Sequence, residues 1–169
     1  MSKQSYMVKV LRVGECAPSM LIDTPEIACR YWRKVIESQT WFDENKEALV
    51  VLLLSTRYYV QGFSLVSIGS LNESIAHPRE IFRAAIASGC YGIIVMHNHP
   101  SGDPGPSRQD HSLTKCLREA ADLLQIILLD HVIVGRRRVA LPRKPGRPSR
   151  SSLPISRQGY FSFKEAGVL

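Results

Sequence analysis

Two apolar runs constrain this chain more than any other feature. "EALVVLLLS" (residues 47–55) and "YGIIVMH" (residues 91–97) are nearly continuous in hydrophobic residues, and both are far shorter than a membrane span. A surface helix would interrupt such a run every three or four residues, and a strand with one wet face every second residue. What remains is a strand covered on both faces, which requires a sheet with helices packed against each side. The flanking segments supply them. "TPEIACRYWRKVIES" predicts a helix with Thr24 as N-cap, Pro25 in the first turn, Glu26 behind it, and a buried stripe of Ile27, Tyr31, Trp32 and Val35. "HPREIFRAAIASG" predicts another, opened by Pro78, burying Ile81, Ala84, Ala85 and Ala87, and ended by Gly89. "PSRQDHSLTKCLREAADLL" predicts a third. Strands are expected in "SYMVKVLRVG", in "YYVQGFSLVSIG" after a tight turn at "TR", in "IILLDHVIVG" and in "RRRVAL", with a short closing element in "GYFSFKEAGVL". The fold class this predicts is α/β: one domain, a mixed β-sheet flanked by helices.

Bulk properties agree. At 169 residues and 44% hydrophobic, the chain can bury one good core rather than two. It holds no apolar run of roughly 20 residues, and "MSKQSYMVKVLRVGECAPSM" lacks the apolar centre of a secretory signal, so no membrane association and a cytoplasmic setting are expected. Cys16, Cys29, Cys90 and Cys116 form no C-x-x-C pair; the last three lie in apolar or helical stretches and read as reduced core or near-core thiols. A strand-rich apolar chain of this size is also compatible with a homodimer.

The charge is localised. Net charge is +7, yet residues 136–150, "RRRVALPRKPGRPSR", hold seven of the 22 basic residues and no acid, leaving 15 basic against 15 acidic residues elsewhere. Such a cluster attracts polyanions, although a solvated loop has the same composition. Its "PRKPGRPSR" core is similar to an AT-hook, which would place Arg147 in a narrow minor groove and Arg143, Lys144 and Arg150 on phosphates of DNA.

The second apolar run ends in "HNHPSGDPGPSRQD". Strand side chains alternate faces, so His97 and His99 project the same way if the strand continues through them. A loop with three prolines and two glycines then returns to Ser107, a good N-cap, and to Asp110, three residues on in the first helical turn. Ser-x-x-Asp is an ordinary capping pattern, and His-x-His can be a mere polar strand end. Together they present two imidazoles and a carboxylate, the three-protein-ligand composition of a catalytic zinc site with one position open.

That ordered pattern, H-x-H-x7-S-x2-D, resembles the signature of the JAB/MPN (JAMM) metalloprotease-like domains. "GSLNESIAHPREIFRAAI", "HNHPSGDPGPSRQD", "LLDHVIVG" and "FSFKEAG" look more narrowly like the RadC branch, over residues 44–169. The resemblance implies a cytidine-deaminase-like α/β fold and one Zn2+ per chain held by His97, His99 and Asp110. It further implies hydrolysis of an amide or isopeptide bond by metal-activated water, with Ser107 bonding to that water or to the oxyanion and an upstream glutamate as general base. Glu47, opening the first apolar run, is the expected base. Glu44 is the alternative, Glu80 is explained by its helix start, and Glu73 by a surface role. His77 reads equally as a helix-entrance histidine or a substrate contact. His111 is expected outside the ligand set, and the resemblance makes Asp130 and His131 a strand feature with either a structural role or one behind the metal ligands. Ser55, where the family commonly shows Asp, should matter to a turn more than to the metal. Residues 1–43 would then be a family-atypical strand and helix, and about 142–155 a basic insertion. A reading from another class stands beside the hydrolase: a nucleic-acid-associated accessory protein of DNA repair or recombination, with an inert metal domain and a basic DNA-binding segment.

Overall fold

The computed structural model describes residues 20–69, 77–136 and 159–169. The two apolar runs are central strands: β1 (Glu47–Leu54) and β3 (Gly92–Asn98) pair antiparallel, and almost every residue in them is buried. β2 (Val60–Gly69) flanks β1, and β4 (Ile127–Val134) flanks β3 in parallel. β5 (Tyr160–Ser162) closes the far edge, so the sheet order is β2-β1-β3-β4-β5. The one parallel pair is joined through the helix α3 (Arg108–Leu124), as a crossover requires. The sheet is mixed and helix-flanked, as the sequence predicts.

Residue parity divides the core in two. Ala48, Val50, Leu52 and Leu54 of β1 and Ile94 and Met96 of β3 face helix α1 (Pro25–Tyr31) and the turn that follows it, where Tyr31, Trp32 and Ile36 are fully buried. Leu49, Val51 and Leu53, with Ile93 and Val95, face α2 (Pro78–Ser88) and α3, meeting Ile81, Phe82, Leu117 and Ala121. Odd-numbered positions of both central strands therefore point towards α3. That puts Glu47 and His97 on one face before any contact is considered.

Local signals hold at the helix ends. Thr24 accepts a hydrogen bond from Ile27 N–H, and Gly89 takes the left-handed conformation (φ 62°) at the end of α2. Four expectations are corrected. The first helix does not stay α-helical: Trp32–Ile36 is a π-turn in which Glu37 N–H reaches Trp32 C=O at 3.0 Å. A buried stripe at 28, 29, 31, 32, 35 and 36 suits either winding, so periodicity does not separate them. In α2, Ala87 is exposed and Phe82 takes the buried place, while Ile27 of α1 is only half-buried. The β1–β2 connection is not a two-residue turn but a loop over Ser55–Tyr59, with Tyr58 at φ 60°; lacking Gly or Asn, the chain closes it with a tyrosine in the left-handed region. Ser55 Oγ accepts from Arg57 and Tyr59 N–H, the turn role expected of it. Cys29 and Cys90 are buried free thiols, but Cys116 is exposed, on the outer side of α3. The expected strands in "SYMVKVLRVG" and "RRRVAL", together with Cys16, Glu73 and the basic residues Arg143, Lys144, Arg147 and Arg150, lie outside the described residues. Among the described residues, no helix is long and apolar enough to cross a membrane.

Candidate metal centre

The site forms where β1 begins, β3 ends and α3 begins. Leu49 lies opposite His97 across β1 and β3, and continuing that register outward sets Glu47 beside His99. His99 lies just beyond β3, but its N–H still bonds to Val134 C=O at 3.0 Å, so the extended course persists and the two imidazoles share a face. Their Nε2 atoms approach to 3.1 Å. Glu47 Oε1 lies 3.6 Å from His97 Nε2 and 3.9 Å from His99 Nε2, and these three residues offer ligand atoms all within 4.8 Å of one another. Asp110 Oδ1 is 3.1 Å from His97 Nε2, and its Oδ2 is 3.6 Å from His99 Nε2.

Asp110 does two things at once. Ser107 Oγ accepts from Asp110 N–H at 3.2 Å while Asp110 Oδ2 accepts from Ser107 N–H at 2.6 Å, a complete capping box at the start of α3. Asp110 therefore belongs both to the cap of α3 and to the histidine–carboxylate cluster. Ser107 is exposed at the rim; Asp110 is buried.

The loop from His99 to Ser107 is held by close packing. Gly102 sits at φ 81°, its N–H bonding to His99 C=O, and the Arg136 side chain covers it at about 3.0 Å from where a Cβ would stand. Gly135 lies so near Gly102 and Pro104 that a Cβ there would be 2.7 Å from both. The loop thus brings Asp103 C=O to 2.8 Å from His99 Nδ1. A carbonyl only accepts, so Nδ1 carries the hydrogen and a neutral His99 turns an Nε2 lone pair into the site.

Electrostatics follow from this crowding. Burial pulls His97 below the ordinary imidazole value, against the pull of Asp110. Burial also works on His99, but Asp110, the Asp103 carbonyl and Glu47 outweigh it and hold that imidazole above its ordinary value. Burial opposes charge on Asp110 too, yet the adjacent His97 and His99 imidazoles, in their protonated forms, and Ser107 keep its carboxyl far below the usual range. Two imidazole nitrogens and two carboxylates thus converge. Glu47, His97 and His99 form a group that could hold a metal ion. The donor set, nitrogen plus carboxylate oxygen, fits zinc.

Behind this cluster, His97 Nδ1 meets His131 Nε2 at 3.0 Å, His131 Nδ1 meets Thr114 Oγ1 at 2.7 Å, and Thr114 Oγ1 donates to Asp110 C=O at 2.6 Å. His131 faces the site only because β4 carries a bulge. Leu128 pairs with Ile93 but Asp130 with Ile94, so Leu129 is an extra residue that reverses the alternation. Burial, followed by the neighbouring His97, pushes the His131 pKa well down. Asp130, on the opposite face, accepts from His131 N–H, Lys164 N–H and Ser162 Oγ, which pins β5. Of this pair, His131 contacts His97, while Asp130 holds β5. Sequence reading missed Thr114 and Phe163, whose ring stacks on His131 at 4.8 Å and 9°. The i, i+4 spacing from Asp110 was the available signal for Thr114.

The remaining candidates separate cleanly. Glu80 pairs with Arg79 and Arg83 on the surface of α2, and His77 caps that helix without a side-chain bond. His111 packs edge-on against Phe163, away from the ligands. Glu44 lines, with Arg33, Glu37, Phe42 and Arg136, a cleft of about 320 Å³ that opens onto His99.

Fold and site define an α/β domain with a histidine–carboxylate cluster at the mouth of its central strands. A family model described as "RadC-like JAB domain" matches residues 22–144, and the chain belongs to that family. It is 55% identical over 93 residues to a UPF0758 protein of Chlorobaculum tepidum, covering 55% of this chain and 42% of that protein. It is 41% identical over 127 residues to a UPF0758 protein of Pelodictyon phaeoclathratiforme (75% and 48%), and 40% identical over 125 residues to one of Thermotoga maritima (74% and 47%). The chain spans less than half the length of these relatives.

Proposed function

We propose that this domain is a zinc-dependent hydrolase acting on an amide or isopeptide bond. The observation that carries the reading is the convergence of His97 and His99 Nε2, 3.1 Å apart, with the carboxylates of Glu47 and Asp110 within 4 Å of both. His97, His99 and Asp110 would hold the ion, and the ion would supply Lewis acidity, polarising a carbonyl and acidifying water. The assignment of the two carboxylates follows their surroundings. Asp110 is buried and its second oxygen is committed to the α3 cap, which suits a fixed ligand. Glu47 reaches in from the first residue of β1 and keeps some contact with solvent, which suits a base that collects a proton from water and returns it to the leaving amine. Ser107 Oγ accepts from Asp110 N–H, so its own O–H can donate to the oxyanion of a tetrahedral intermediate at the rim.

The test is metal content of protein purified without added metal, with hydrolysis of isopeptide-linked model peptides as the second readout. Wild type should carry one zinc per chain, and the double variant His97→Ala, His99→Ala none. Glu47→Gln should keep the zinc and lose about 100-fold or more in rate. Zinc retained in the double variant would sink the site; zinc lost with Glu47→Gln would make Glu47 a ligand instead of the base.

A further inference from the structure

We propose that His131 and Thr114 are positioning residues that fix His97 in its Nδ1–H tautomer and so present its Nε2 lone pair to the cation. The proposal rests on the metal reading above for its purpose, but its logic is independent of any ion. Thr114 has one hydroxyl hydrogen. Asp110 C=O, at 2.6 Å, can only accept it, so the hydroxyl meets His131 Nδ1 as an acceptor and Nδ1 must carry the hydrogen. His131, fully buried, is neutral and has no second hydrogen, so its Nε2 is an acceptor. Facing it at 3.0 Å, His97 Nδ1 must donate, and the other nitrogen of His97 is left bare towards His99, Glu47 and Asp110.

The relay starts on one candidate ligand and ends on the backbone of another, which makes the orientation of His97 depend on the first turn of α3. Two further devices hold the relay. The bulge at Leu129 turns His131 to this face, and Phe163 stacks flat on its ring. Phe163 follows β5, which Asp130 ties down through Ser162 and Lys164. These closing residues lie beyond the 22–144 segment matched by the family.

The experiment uses the full chain. Nitrogen-15 histidine spectra of the metal-free protein, at roughly pH 8 where an imidazole of ordinary or lowered pKa is neutral, should show His97 protonated at Nδ1. Thr114→Val keeps the shape but removes the acceptor, freeing His131 to carry its hydrogen on Nε2 and driving His97 to the opposite tautomer. Its zinc affinity should fall about 10–100-fold, and Thr114→Ser should recover most of the loss. A wild-type spectrum with His97 protonated at Nε2, or a Thr114→Val protein that binds zinc as tightly as wild type, overturns the proposal. If Thr114→Val does not fold, the wild-type spectrum alone decides. If wild type takes up no zinc, the metal reading fails while the spectrum still answers for the tautomer.

Discussion

The two histidines stand two residues apart and are held by opposite means. His97 lies in a central strand, one residue from its end, has no solvent exposure, and is oriented by another side chain that is itself oriented by α3. His99 belongs to a loop, keeps 16% of its side-chain surface exposed, and is oriented by a backbone carbonyl four residues on. One is part of the core that happens to be polar; the other is part of a clamp built on close glycine contacts. The difference teaches that the same side chain can be bound into global stability at one position and nearly separate from it two residues on.

The strongest way to break that comparison is to delete each ring in the metal-free protein. His97→Ala should cost about 3 kcal/mol, because it opens a cavity in a buried layer and strands His131 without its donor. His99→Ala should cost about 1 kcal/mol or less, since its ring lies at a wet rim. Urea unfolding measures both, and equal losses would erase the distinction. Next in size is Gly135→Ala. Its Cβ would meet backbone at 2.7 Å, so the loop must move, with a loss of about 1–3 kcal/mol and weakened zinc binding through a displaced His99. Zinc affinity unchanged in a destabilised Gly135→Ala protein would show that the clamp does not orient His99.

The smallest effect sharpens the contrast through pH. In metal-free protein, His99 should titrate above the ordinary 6.5 and His97 below it, read from imidazole resonances by NMR. The signs of linkage are opposite. The stability contributed by His99 is complete below pH 6.5 and is lost as pH rises through its raised folded value. For His97 the folded state favours the neutral ring, so stability present above pH 6.5 is lost as pH falls towards its lowered folded value. Zinc uptake should weaken on acidification through the His99 transition, where a proton competes for the same place. Two histidines titrating together would contradict the separate settings.

Much of this was legible in the chain because it is local. Caps at Thr24, Gly89 and Ser107 are read from neighbours within four residues, and the apolar runs of β1 and β3 admit only a doubly covered sheet. The shared face of His97, His99 and Glu47 follows from parity once β1 and β3 are paired. Illegible were the features that pairing itself creates. The alternation of "LLDHV", read from Leu128, would have put Asp130 towards α3; the bulge at Leu129 arises from register with β3 and gives that face to His131 instead. The π-turn at Trp32–Ile36 and the stacking of Phe163, more than 30 residues from His131, likewise depend on partners that no window of sequence contains.

The shared duty of Asp110 has a consequence for how the domain could change over time. One oxygen closes the first turn of α3 and the other turns to His97, so fraying of that turn and escape of an ion would be one event rather than two. Ion occupancy would stiffen the helix start, and any sequence drift that loosened the turn would surface first as weaker metal retention. A lineage could not retire this chemistry by losing the carboxylate alone without also finding a new way to begin the helix.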